Sequence, residues 1–175
     1  MKKVLIAIIG SNNVYGIPLH NGLEKFDNCI KGLIDYGTIA MSKKTYELLP
    51  GKSPPFACHT TYIVSEDGLK IDPAWTKTFV IPSWPTLFEH LADDGTESLY
   101  IFLDNETYDE VLEKHKEDID AIIVAQVNQA FKFNYQFALP SMFDWRSRII
   151  CEEKDSGHRS PGYVVYEYTK QYLHF

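Results

Sequence analysis

The sequence predicts an α/β protein with a largely parallel sheet, helices on both faces and an antiparallel edge at its C-terminal end. Three observations carry this. Val4–Ile9 is an unbroken apolar run rich in β-branched residues, as expected of a central strand covered on both faces. Short apolar runs then alternate with segments at helical spacing through most of the chain, and that alternation implies crossovers between parallel strands. Near the end, Arg148–Glu152 and Gly162–Tyr168 flank a polar, glycine-containing connection and read as a long antiparallel hairpin.

The elements follow in order. Gly10-Ser11-Asn12-Asn13 ends the first strand. Apolar residues at Leu23, Phe26, Ile30, Leu33 and Ile34 keep helical spacing, and Gly37 is a natural stop. Thr38–Met41 is a second strand. It runs into the polar turn Ser42-Lys43-Lys44, a helix-like start and Pro50, the kind of strand–turn–helix junction where many α/β proteins hold a phosphate. Thr60–Ser65 is a third strand, closed by the turn Glu66-Asp67-Gly68. Thr78–Ile81 is a fourth, and "PSWPTLFEHLADDG" after it reads as a short helix carrying Leu87, Phe88 and Leu91 inward. Ser98–Leu103 is a fifth. Asp104 or Asn105 can cap the next helix, in which Tyr108, Val111, Leu112 and His115 keep helical spacing. Ile119–Val127 is the sixth strand before the hairpin. No repeat, low-complexity tract or linker divides the chain, so residues 1–175 read as one domain.

Charge and cysteine usage narrow the function. The 17 Lys and Arg face 24 Asp and Glu, for a net charge of −7. A nucleic-acid coat needs surplus cations to displace counterions, so no nucleic-acid partner is expected, while a small anion on a few local lysines remains compatible. Cys29, Cys58 and Cys151 form no CxxC pair. An odd, scattered set argues against a disulfide framework and for a reduced, cytoplasmic setting. The apolar run behind Lys2-Lys3 is only six residues, too short for a signal peptide's apolar region. No segment approaches membrane-spanning length. Histidines are scattered without metal-ligand spacing, and neither a Gly-x-Ser-x-Gly elbow nor a Walker loop occurs. Tyr172, Leu173 and Phe175 make an unusually apolar tail, which suits a homo-oligomer or a protein partner at the C-terminal segment.

Several stretches, taken in order, resemble dihydrofolate reductase. "VLIAIIGSNNVYG" is similar to that family's first strand and following loop. "IAMSKKTYELLP" resembles its phosphate-turn segment, and "TYIVSED" the strand after it. "LYIFLDNETYDEVL" stands where the family has its paired glycines and helix start. "AIIVAQVN", "FALPSMFDWR" and "GYVVYEYTK" resemble the later strands. The resemblance covers nearly the whole chain and implies a sheet of about eight strands. It also implies NADPH across the carboxyl ends of the strands, giving hydride to dihydrofolate or a related pterin. A buried carboxylate on the first helix would hold the pterin and help deliver a proton, because hydride addition is productive only if the ring nitrogen is protonated. The other function class is a non-catalytic relative whose scaffold serves binding or assembly.

Carried over residue by residue, the resemblance assigns Ala7, Gly16, Lys43, Lys44, Thr45, Ser65 and Tyr108 to the cofactor side. It assigns Ile8, Phe26, Ile30 and Leu49 to the substrate side. The catalytic candidates are Asp27 and Glu24. An ungapped register puts Phe26 at the acid position, and matching "GLEKF" puts Gly22 there. Neither supplies a carboxylate, and these two acids lie about half a turn or less away. The phosphate turn's Gly-Arg is Ser42-Lys43 here, and lysine meets a 2′-phosphate as a point charge without arginine's fork. The paired glycines are Leu103-Asp104, where leucine crowds the cofactor and aspartate repels phosphate. The same pair also reads as a strand running into a helix N-cap. The arginine expected to meet the folate carboxylate is His59, mostly neutral at pH 7, and the threonine behind the catalytic acid is Ala125. Any cofactor site is therefore expected to be anchored at its adenosine-phosphate end.

Overall fold

The structure is a computed structural model that describes residues 1–16, 24–34, 37–53, 59–104, 107–132, 136–138, 145–155 and 161–170. In chain order these form β1 (Lys2–Ile9), α1 (Glu24–Leu33), β2 (Thr38–Ser42), α2 (Lys43–Leu48), β3 (Thr61–Val64), β4 (Thr78–Ile81), α3 (Trp84–Asp93) and β5 (Ser98–Phe102). A π-helical segment (Tyr108–Glu113), β6 (Ala121–Val127), β7 (Trp145–Glu153) and β8 (Tyr163–Lys170) follow. Leu23, Cys58, Asn105 and the tail residues Tyr172, Leu173 and Phe175 lie outside the described residues.

Eight strands make one sheet in the order β4-β3-β2-β5-β1-β6-β8-β7. Strands β1 to β6 pair in parallel, and β8 runs antiparallel to both β6 and β7. The expected mostly parallel sheet with a terminal hairpin is therefore present. The first strand sits at its centre, which explains the unbroken apolar run. Successive side chains of a strand point to opposite faces. Val4, Ile6 and Ile8 accordingly enter one core layer with Phe26, Ile30 and Ile34 from α1 and the residue after it. Leu5, Ala7 and Ile9 enter the other with Leu87 and Leu91 from α3 and with Val111 and Leu112.

Local chemistry sets the ends. Ser42 is the N-cap of α2, its Oγ accepting the Thr45 N–H at 3.1 Å. Ser83 caps α3 in the same way, accepting from the Thr86 N–H, with Pro85 in the first turn where no N–H is needed. Where an α-helix was expected after β5, the backbone is π-helical over Tyr108–Glu113, with Val111 and Leu112 still turned inward. Gly16 closes against the Phe131 ring, which a Cβ there would meet at 2.5 Å. The outer strand β7 carries a bulge between Ile149 and Cys151. Among the described residues no helix is long and apolar enough to cross a membrane.

Candidate functional site

Because β1 to β6 run in the same direction, the segments leaving their carboxyl ends share one rim of the sheet. Ligands of open α/β sheets bind on that rim. Ser42 leaves β2, Ser65 follows β3, and Leu103-Asp104 follow β5. A cavity of about 410 Å³ opens there, with Lys43, Lys44, Ser65, Trp84, Glu110 and Lys114 in its wall.

Asp104 organises the inner edge. Its Oδ2 accepts the Ser42 hydroxyl and, at 2.6 Å, the Thr45 hydroxyl. Its Oδ1 accepts the Thr107 N–H at 2.8 Å, and its carbonyl accepts the Tyr108 N–H at 2.9 Å. One residue thus caps the segment that follows it and reaches across to α2. The expected N-cap role is present, and the second set of partners was not foreseen. Leu103 does not face the rim. It is 5% exposed, packed in the second core layer, with its N–H on the Ile6 carbonyl at 2.8 Å.

The other sequence-derived positions separate into groups. Lys43 and Lys44 are half-buried in the cavity wall. Ser65 is beside them, but its hydroxyl donates to the Gly68 carbonyl at 3.0 Å and closes the turn after β3. Thr45 is 4% exposed and held from behind by Asp104. Tyr108 donates its hydroxyl to the Ala138 carbonyl and packs on Phe137. Ala7 is fully buried in the core, and Gly16 bonds back to the Ile8 carbonyl. On the substrate side, Ile8, Phe26, Ile30 and Leu49 are all 0–2% exposed and packed in a single cluster. Glu24 is exposed on α1, whereas Asp27 is half-buried with its Oδ1 shielded from solvent. His59 is half-buried and Ala125 wholly buried.

Thr107, Trp84, Glu110 and Lys114 were missed by sequence reasoning. Thr107 is fully buried, its N–H on Asp104 and its Oγ1 without a hydrogen-bond partner. The Asp-x-x-Thr spacing of an N-cap could have pointed to its backbone role. Nothing local signals that Trp84, from the start of α3, reaches the same cavity. Among the described residues no group of three or more His, Cys, Asp or Glu could hold a metal.

No protein-family model and no curated protein matches the chain. Among solved structures, dihydrofolate reductase from Enterococcus faecalis, complexed with NADP(H) and RAB-propyl, matches with a TM-score of 0.76. The match covers 97% of this chain and 96% of that one at 14% sequence identity. The fold is dihydrofolate-reductase-like, and at that identity the likeness speaks for the fold alone.

Proposed function

We propose that this chain is a binding protein on the dihydrofolate reductase fold. It takes a small phosphorylated nucleoside-type ligand in the cavity beside Lys43 and Lys44 and does not run hydride transfer from a whole nicotinamide dinucleotide. One observation carries the reading: the Asp104 carboxylate already holds the Ser42 and Thr45 hydroxyls and the Thr107 N–H. A diphosphate brought to that point finds its donors taken and a like charge in place. Two unit charges 4 Å apart at an effective dielectric of 20 repel by about 4 kcal/mol. A lysine contact at a partly exposed position contributes about 1 kcal/mol or less. The middle of NADPH therefore does not fit.

The adenosine-phosphate end does fit. A volume of about 410 Å³ lies within the usual range for small-ligand sites, and the E. faecalis enzyme's NADP(H) complex supports this type of ligand. Lys43 and Lys44 would meet the phosphate, while Glu66, Asp67 and Glu110 in the same wall would accept from ribose hydroxyls and a base amino group. Three lysines facing three carboxylates make this a weak, salt-sensitive anion site.

The test compares adenosine 2′,5′-bisphosphate with NADPH by quenching of tryptophan fluorescence, for which Trp84 in the wall is a reporter. A repelled diphosphate and a nicotinamide half that makes no contact add nothing favourable, so NADPH should bind no more tightly than the bisphosphate. NADPH should also go unoxidised in the presence of dihydrofolate. NADPH binding far tighter than the bisphosphate, with turnover of dihydrofolate, would sink the reading. A second reading, an NADPH-dependent reductase of dihydrofolate or a related pterin, draws support from Asp27, the half-buried carboxylate of α1. The packed core cluster at Ile8, Phe26, Ile30 and Leu49 weighs against it, since a pterin would have to displace those contacts.

A further inference from the structure

Away from the rim, α1 and the terminal hairpin bring two thiols together. Cys29 on α1 and Cys151 on β7 are both half-buried and pack against the same core cluster. Tyr163 on β8 ties the two elements. Its hydroxyl accepts from Cys151 Sγ at 3.7 Å and donates at 3.3 Å to the carbonyl of Lys25, one helical turn before Cys29. The Tyr163 ring also meets Phe26 edge-on at 5.3 Å, and Lys25 Nζ pairs with Glu153 at 2.5 Å. Lys25 and Cys29 lie one turn apart on the same helix face, so Tyr163 stands between Cys151 and the turn that carries Cys29.

We propose that Cys29 and Cys151 form a reversible disulfide that clamps α1 to the C-terminal hairpin under oxidising conditions. A peroxide is the oxidant. One thiol attacks its O–O bond, giving a sulfenic acid and one water. The second thiol then displaces the sulfenic oxygen as a second water, and the S–S bond forms. Two thiols have lost two electrons and two protons, and the peroxide has gained them.

The surroundings set how readily this happens. Burial first, and then the neighbouring Cys151, pushes the Cys29 thiol up from 9.0 to about 12. Only the thiolate is an effective nucleophile, so the pair stays reduced at neutral pH and responds to sustained oxidant, faster in alkali. Once made, the bond closes a loop spanning most of the chain, the case in which a cross-link restricts the unfolded state most.

The test uses full-length protein carrying Cys58→Ser, which leaves these two thiols alone. The native protein is treated with hydrogen peroxide at pH 8 and read by intact mass, unreduced peptide mapping and thermal unfolding. The expected product is about 2 Da lighter, as loss of two hydrogens requires. It contains a linked Cys29–Cys151 peptide pair, reverts with dithiothreitol and unfolds on the order of 10 °C higher. Adding Cys29→Ser or Cys151→Ser should abolish both the mass change and the shift. Each reduced variant's own unfolding curve shows that it is folded. Over-oxidation of either thiol without a linked peptide overturns the proposal. So does linkage only between chains, or linkage only after denaturant is added.

Discussion

Replacing Asp104 by alanine tests the rim most directly. The carboxylate accepts three hydrogen bonds, and the two hydroxyl donors belong to residues only 9% (Ser42) and 4% (Thr45) exposed. A hydrogen bond to a charged acceptor contributes about 1.5–3 kcal/mol net. Asp104 is itself half-buried, so water replaces part of what is lost, and Ser42 keeps its bond from the Thr45 N–H. A cost of about 3 kcal/mol follows for Asp104→Ala, and about 1 kcal/mol for Asp104→Asn, which keeps one acceptor oxygen. In a domain of this size 1 kcal/mol moves the midpoint by about 2–4 °C, so the alanine variant should unfold about 6–12 °C below wild type. Thermal unfolding followed by circular dichroism at low salt measures this. Repeating it with millimolar pyrophosphate adds a second readout. The alanine variant, whose donors are vacated, should recover part of its loss, while wild type, with only the lysine contacts, should gain less. A wild-type midpoint for Asp104→Ala would refute the carboxylate's structural role. Equal stabilisation of both proteins by pyrophosphate would refute the argument that it blocks the rim.

Other expectations can be checked independently. Lys43→Ala should weaken NADPH by less than about tenfold and leave NADH unchanged, because only NADPH carries the 2′-phosphate, and the difference should vanish at high salt. Fluorescence titrations with both nucleotides decide this. If dihydrofolate turnover is measurable, Asp27→Asn should lower it by about two decades or more while Glu24→Gln, on the exposed face, leaves it near wild type. Equal rates for both variants remove both acids. Stability should fall as pH rises from 9.0 towards about 12, because the unfolded chain releases the Cys29 proton while the folded one keeps it. Denaturant midpoints across that window should flatten in Cys29→Ala, and an unchanged slope would show that the buried thiol is not responsible.

Legibility in the sequence divided along physical lines. Period-two and continuous apolar runs depend on neighbours within a strand, so Val4–Ile9 and Thr78–Ile81 lie in the strands they predicted. The long hairpin was visible because both of its strands flank a polar connection. The helix-like start at Lys43 is a short α-helix, with Ser42 as its cap. The rim was harder to read. Asp104 showed its local role as an N-cap through spacing, whereas its bonds to Ser42 and Thr45 cross the sheet between β5 and β2. No local pattern encodes a contact created by strand order. Leu103 was expected to crowd a cofactor, yet it points into the core. Strand parity decides this, running on from Leu99 and Ile101 to Leu103, one residue past the end of β5. The Cys29–Cys151 approach was likewise invisible, since it joins a helix near one end of the chain to an edge strand near the other.

The central position of β1 has a consequence for biosynthesis. Its partners are β5, from Ser98, and β6, from Ala121. It is nevertheless made before either of them. At about 5–20 residues per second, roughly 4–18 s separate the making of Ile9 from that of Ser98. Throughout that interval six consecutive apolar residues, Val4 to Ile9, have neither neighbour available and resemble an aggregation-prone segment. The nascent chain therefore depends on shielding of β1, by a chaperone or by transient non-native contacts, until its neighbours are made. The two lysines at positions 2 and 3 sit beside that segment, where flanking charge acts as a gatekeeper against premature strand pairing.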